Sequence, residues 1–141
     1  MEYLHSDITE KILRAFFNVY NQLGFGFLEK VYENALGYEM QLLGLKVEKQ
    51  KRIQVHYREI IAGDYFADLI VNDKVIIELK AAEALIEEHE AQLVNYLRAT
   101  DIEVGLLLNF GKKPQHKRKI FENRLKDQSI SVESVRSVFH P

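Results

Sequence analysis

Three charged side chains of types used in hydrolysis, Asp68, Glu78 and Lys80, stand in two apolar runs separated by an asparagine-aspartate-lysine segment at 72 to 74. Asn and Asp tolerate left-handed backbone conformations, so this segment predicts a tight turn between two antiparallel strands. Two carboxylates and an ammonium are groups that can hold a divalent cation and act on an attacking water. The predicted hairpin is therefore the first candidate for an active site.

The apolar pattern of this hairpin indicates which side chains face each other. If Val71 pairs with Val75, Asp68 lies opposite Glu78, with about 5 Å between their β-carbons, and Lys80 shares their face. The other face is then wholly apolar and consists of Ala67, Leu69, Val71, Val75, Ile77 and Leu79. A shift of one residue would bury the charged side chains without partners, at a cost of several kcal/mol. We expect the first register.

Two facing carboxylates repel each other and raise a carboxyl pKa unless a cation lies between them, and Lys80 offers only partial relief. A divalent ion would remove the conflict. Because the chain contains no cysteine, its ligands would be oxygen or imidazole groups, which favours Mg²⁺ or Mn²⁺. The alternative is an exposed sheet face on which both acids are solvated and Lys80 pairs with one of them. The spacing alone leaves both interpretations open.

Two further groups of polar residues are candidates for a site. Gln92 and Tyr96 lie four residues apart, hence on one face of a predicted helix, although such a pair is also typical of a helix rim. His89, on the adjoining turn, is a rim residue or a phosphate contact. The basic stretch after the last predicted strand would bind phosphates or form a solvated surface, and it contains Lys112, Lys113, Lys117, Arg118 and Lys119.

The periods of the apolar residues predict the order ααβββαβ. We expect helices at 7 to 23, with Asp7 as N-cap, at 28 to 43 and at 84 to 99, and strands at 52 to 57, 65 to 71, 75 to 80 and 104 to 110. A further helix is expected at 117 to 125, and the pattern at 130 to 139 fits either a helix or a strand. With 141 residues, the chain has material for one domain, with a core over about 8–120 and an extension over about 121–141.

Charge and hydropathy exclude several classes of protein. The net charge of −2 argues against a protein that coats nucleic acid non-specifically, because such binding depends on many cationic side chains. No apolar run reaches the length of a membrane span, and the first residues do not resemble a signal peptide. We therefore expect no association with membranes and a cytoplasmic location.

Five segments in a fixed order resemble a known family. They are GFLEKVY with Gly26, Glu29 and Tyr32, FADLIV with Asp68, IIELK with Glu78 and Lys80, HEAQLVNYL with Gln92 and Tyr96, and GLLLNFG near Gly111. Together they are similar to the GxxExxY proteins, a family of the PD-(D/E)xK nuclease superfamily, over about residues 8 to 120. The chain departs from the superfamily pattern at Ala67, where a proline can precede the aspartate.

The resemblance implies an α/β (α+β) fold with a restriction-endonuclease-like core, in which helices flank a mixed sheet. It implies that Asp68 and Glu78 bind the metal and that Lys80 orients or deprotonates the attacking water. Gln92 and Tyr96 would resemble the QxxxY element of RecB-like nucleases. Glu29 would join them, although a glutamate in the first turn of a helix is also favoured by the helix dipole.

The function implied is hydrolysis of phosphodiester bonds in nucleic acid, with DNA favoured over RNA. A homodimer is expected by analogy with small nucleases of this fold. Two alternatives remain open: a catalytically silent module of the same fold that binds nucleic acid or protein, and a structural subunit of a larger assembly. The sequence does not distinguish single-stranded from double-stranded substrates.

Overall fold

The computed structural model describes residues 4–126. Its elements are α1 (Ser6–Leu23), α2 (Glu29–Leu42), β1 (Val47–Tyr57), β2 (Ile60–Val71), β3 (Val75–Lys80), α3 (Glu87–Arg98), β4 (Val104–Phe110), β5 (Pro114–Ile120) and a short 3₁₀ helix, Asn123–Leu125. The predicted order ααβββαβ is confirmed over the first seven of these elements. The pattern noted at 130 to 139 lies outside the described residues.

The five strands form one mixed sheet in the order β1-β2-β3-β4-β5. The neighbours β1 and β2, β2 and β3, and β4 and β5 are antiparallel, whereas β3 and β4 are parallel and are connected through α3. A parallel pair is normally covered on both faces. The residues of β3 and β4 are accordingly almost all buried. The predicted fold class, a mixed sheet with flanking helices, is confirmed.

Helices cover both faces of the sheet, and each face has its own apolar cluster. On one face, α1 and α2 pack on Leu69, Val71, Val75, Ile77 and Leu79. On the other, α3 packs on residues that include Ala67, Ile70 and Ile76. The prediction that Ala67 shares a face with Leu69 is therefore wrong. The strict alternation of β2 is broken around Asp68, where the β1–β2 ladder also has a gap.

The boundaries of α1, β1 and β2 differ from the sequence prediction. Asp7 lies within the first turn of α1, and the N-cap residue is His5. Strands β1 and β2 are longer than predicted and form a long hairpin. They pair along almost their whole length, from Val47 with Val71 to Tyr57 with Ile60. This pairing includes polar residues whose own pattern does not predict a strand.

The helix predicted at 117 to 125 is wrong. Residues Pro114–Ile120 form an edge strand that pairs with all of β4, and only Asn123–Leu125 is helical, as one 3₁₀ turn. Backbone pairing with the otherwise open edge of β4 outweighs the helix propensity of a lysine-rich segment. Among the described residues, none of the helices has the length and apolar character needed to cross a membrane.

Candidate active site

The hairpin of β2 and β3 has the predicted register. Val71 pairs with Val75 and Leu69 with Ile77. In the turn, Asn72 and Asp73 have φ angles of 53° and 56°, the left-handed conformation that these two residue types tolerate. This register brings Asp68 and Glu78 to the open end of the hairpin.

At that end, hydrogen bonds between side chains and backbone replace the backbone-to-backbone hydrogen bonds of the two strands. The Oε2 atom of Glu78 accepts a hydrogen bond from the backbone N–H of Asp68 at 2.8 Å. In return, Oδ2 of Asp68 accepts from the backbone N–H of Leu79 at 2.8 Å. The two carboxylates thus connect β2 and β3 where backbone pairing ends. Each carboxylate uses one of its two oxygens in these hydrogen bonds. Strand pairing and braces together fix both acids on rigid elements.

The two acids lie in an environment that disfavours their negative charge. Glu78 is 6% exposed, and burial, followed by the charge of Asp68, raises its pKa to about 8. Burial also raises the pKa of Asp68, and the charges of Glu33 and Glu29 add to this effect. A cation bound between the acids would stabilise their charged forms, because an opposite charge within a few ångströms lowers a carboxyl pKa.

Lys80 lies at the end of β3 on the same side as the carboxylates. Its side chain is half-buried, and its charge lowers the pKa of both Asp68 and Glu78. Its strand partner Asn109 is fully buried and holds the chain after β3, accepting from the N–H of Ala82 at 2.9 Å and donating to its carbonyl at 3.0 Å. The backbone on both sides of Lys80 is therefore fixed.

Helix α3 contributes Gln92 and Tyr96, which lie one turn apart and contact each other. Nε2 of Gln92 donates to the hydroxyl of Tyr96 at 3.0 Å. Burial and the charge of Glu78 raise the pKa of Tyr96 to about 12. The tyrosine is thus a neutral hydrogen-bonding group, and it lies close enough to the carboxylates for their charge to raise its pKa. His89 instead accepts the N–H of Ile86 through Nδ1 and caps the start of the helix.

The site geometry agrees with a match to a protein-family model. Residues 6–134 match the model of the PD-(D/E)XK nuclease superfamily, which is most of the chain. The chain belongs to the PD-(D/E)XK nuclease superfamily. No curated protein and no solved structure matches it significantly. Asp68, Glu78 and Lys80 have the residue types and the order of the superfamily's signature, with Ala67 in place of the proline.

Near this PD-(D/E)XK signature, α2 supplies two acidic residues. Glu29 is exposed in the first turn, and its charge raises the pKa of both signature carboxyls. Glu33, one turn later, is 4% exposed and has the larger effect on Asp68. The sequence reasoning missed Glu33, although the spacing from Glu29 places both on one helix face.

Glu33 is held by partners from two elements. Its Oε1 accepts from Nε2 of Gln50 at 2.7 Å, and its Oε2 accepts from Nζ of Lys30 at 2.8 Å. Gln50 has a φ of 50° and stands in the gap of the β1–β2 ladder, across from Asp68. The sequence contains no signal for this irregularity, since it depends on how two long strands pair.

The other two residues of the GxxExxY-like segment have structural positions. Tyr32 is fully buried, donates to the carbonyl of Gly24 at 2.7 Å, accepts from the N–H of Phe27 at 3.2 Å and stacks on Phe110. Gly26 has a φ of 110°, which L-residues rarely adopt. Together they fix the loop that leads into α2 and so the position of Glu29.

The basic stretch lies outside the two strands that carry the carboxylates. Lys112 and Lys113 are in the loop after β4, and Lys117, Arg118 and Lys119 are on the edge strand β5, which β4 separates from β3. Lys119 pairs with Glu90 at 2.5 Å, and Arg118 donates to the carbonyl of Leu4. A phosphate-binding role for these cations stays a prediction.

The donor set fits a hard divalent cation that retains much of its hydration. Among residues 4–126, no group of three or more acidic or histidine side chains is arranged as a complete ligand set. Asp68 and Glu78 supply two carboxylates, and both have raised pKa values that a cation would reverse. Mg²⁺ is commonly held by one or two carboxylates, with waters and substrate phosphates as its other ligands.

Proposed function

We propose that this PD-(D/E)XK protein is a nuclease that depends on a divalent metal and hydrolyses phosphodiester bonds in nucleic acid. The observation that carries the proposal is the pair of braced, buried carboxylates, Asp68 and Glu78, with Lys80 beside them. Such a pair is costly for stability without a cation, which indicates a functional origin. Membership of the nuclease superfamily supplies the class of substrate.

Within this function, the five ordered segments support membership of the GxxExxY family. Mg²⁺ or Mn²⁺ is the cofactor that carboxylate ligands favour. We further propose DNA rather than RNA as the substrate, a homodimer as the assembly and the cytoplasm as the location. Each of these finer points is independent of the chemistry at the site.

Each site residue has a defined task in this hydrolysis. Asp68 and Glu78 hold the metal, which when bound supplies positive charge to the phosphoryl oxygens and makes water a better nucleophile. Lys80, beside the two carboxylates, would orient the attacking water or accept its proton. The water oxygen forms a bond to phosphorus as the bond to the leaving oxygen breaks, and that oxygen takes up a proton from solvent.

Residues on the two helices position the substrate. The neutral hydroxyl of Tyr96, fixed by Gln92, can donate a hydrogen bond to a phosphate oxygen without adding charge. Glu29, at the exposed start of α2, would add negative charge near the two carboxylates. These are positioning roles, since neither group is needed to break the bond.

Metal dependence tests this function against the catalytically silent alternative. Labelled single- and double-stranded DNA and RNA are incubated with the protein in Mg²⁺, Mn²⁺ or EDTA, and binding is measured in parallel at several salt concentrations. A nuclease cleaves at least one substrate, and only with the metal. Binding in EDTA with a steep salt dependence, without cleavage under any condition, would instead identify a binding module.

A further inference from the structure

A groove of about 680 Å³ runs between α3 and the long hairpin of β1 and β2. Val55, Gly63 and Tyr65 line it on the hairpin side, and Gln92, Asn95 and Tyr96 line it on the helix side. The volume is within the range of sites that enclose a small organic group. One wall belongs to α3 and the other to the β1–β2 hairpin, and the packing of α3 on the sheet fixes their separation.

The groove lies next to the signature carboxylates, although neither of them is among its lining residues. Tyr96 lies in the wall of the groove, and the charges of both Glu78 and Asp68 raise its pKa. Tyr65, in the opposite wall, precedes Asp68 by three residues on the same strand. A strand of nucleic acid whose scissile phosphate lies at the carboxylates would therefore bring an adjacent nucleotide to the groove.

Aromatic rings give the groove a surface suited to a flat ligand. Tyr65 is 45% exposed, and its ring centroid lies 5.6 Å from that of Tyr96, with the ring planes at 44°. Gly63 allows this arrangement, because a β-carbon there would lie 2.7 Å from the Tyr65 ring. The exposed ring next to a catalytic centre offers a stacking surface for a base, whose π-face is sequence-independent.

The polar groups of the groove favour a base over a phosphate. Among the described residues that line it, none is a lysine or an arginine, and Glu88 adds a negative charge. His89 also lines the groove, but its Nδ1 already accepts the N–H of Ile86. The side-chain amides of Gln92 and Asn95 can donate to and accept from the edge of a base. Repulsion from Glu88 would keep the sugar-phosphate backbone outside, while a neutral base enters.

We propose that this groove binds an unpaired nucleobase of the substrate strand, with Tyr65 as its stacking surface. The substrate is then single-stranded nucleic acid or an unpaired segment, since a base within a duplex must first leave its stack and its partner. This inference rests on the proposed nuclease function, because it takes the scissile phosphate to lie at Asp68 and Glu78.

The test separates base stacking from cleavage. A single-stranded oligonucleotide carrying one 2-aminopurine is titrated with the Lys80→Ala protein in Mg²⁺, so that no cleavage interferes, and quenching of the base is followed. Introducing Tyr65→Ser into this Lys80→Ala protein weakens its binding of the oligonucleotide about tenfold and removes most of the quenching. Adding Tyr65→Phe keeps both within about twofold, because the ring remains.

A matched control and a cleavage assay define what overturns the inference. Tyr38 is 64% exposed on α2 and does not line the groove, so Tyr38→Ser should leave binding unchanged. Equal quenching in Tyr65→Ser and its parent, or tighter binding of a perfect duplex than of the single strand, overturns the inference. If the active protein cleaves duplexes and is indifferent to Tyr65→Ser, the groove inference fails while the nuclease function stands. Quenching that requires Tyr65, without cleavage of any substrate, supports the groove and contradicts the nuclease.

Discussion

The buried carboxyl of Glu78 makes stability depend on pH in a direction opposite to that of a salt-bridged acid. Its pKa is about 8 in the folded protein, against an ordinary value of 4.5. Between these two pH values the folded protein keeps a proton that the unfolded chain releases. The free energy of unfolding therefore falls as the pH rises through this window, because the folded state binds more protons. The loss at pH 7 is about 3 kcal/mol.

Replacing Glu78 with glutamine should remove most of this loss. The amide cannot ionise, and its oxygen can still accept the N–H of Asp68. In EDTA, we expect Glu78→Gln to raise the free energy of unfolding by about 2–3 kcal/mol at pH 7 and by about 0 at pH 4.5. The assay is urea unfolding at a series of pH values. Glu59→Gln, an exposed site in the turn between β1 and β2, serves as the control and should show no such pH dependence.

Bound metal should reverse the order of stability of the wild type and Glu78→Gln. A ligand that binds only the folded state stabilises it more the further its concentration exceeds its Kd, so the same excess of Mg²⁺ should stabilise the wild type more than Glu78→Gln. The reasoning is refuted if Glu78→Gln is destabilised by the same amount at pH 4.5 and pH 7 in EDTA. It is also refuted if Mg²⁺ stabilises both proteins equally, because Glu78 would then not be a ligand.

Three substitutions test the elements that position the site, each by urea unfolding. Tyr32→Phe removes the hydrogen bond to the half-buried carbonyl of Gly24 and should cost about 1–2 kcal/mol; an unchanged midpoint would show that the hydroxyl is not needed there. Asn109→Ala leaves both backbone groups of Ala82 without their partner and should cost about 2–3 kcal/mol, whereas a loss under 0.5 kcal/mol would contradict this role. Gly26→Ala meets no neighbouring atom but requires a φ of 110°, so a cost of about 1–2 kcal/mol from strain alone is expected, and a neutral change would exclude that strain.

The hairpin at the centre of the site was predictable because its pattern is local. Apolar residues on one side of a three-residue turn fix which residue faces which, and a shift of one residue would have buried charges. Strand β4 was predictable for a similar reason, since a continuous apolar run marks a strand buried on both faces. Both predictions depend only on neighbours in sequence.

Features that depend on distant partners were not predictable. The lysine-rich segment around Lys117 is a strand only because β4 offers it an open edge. Glu33 and Gln50 meet because a long hairpin is interrupted across from Asp68, and no single-sequence pattern reports such a gap. The groove beside Tyr65 likewise exists only once α3 has packed against the sheet.

Lys80 provides the most direct test of the proposed chemistry, because in that proposal it is the one signature residue that acts on the water. Single-turnover cleavage of labelled DNA in Mg²⁺ is compared for the wild type, Lys80→Ala and Lys74→Ala, the last removing an exposed lysine from the turn at the other end of β3. The account predicts EDTA-sensitive cleavage by the wild type and Lys74→Ala and a loss of at least about a hundredfold in rate for Lys80→Ala. Equal rates for all three proteins, or cleavage that persists in EDTA, would contradict it.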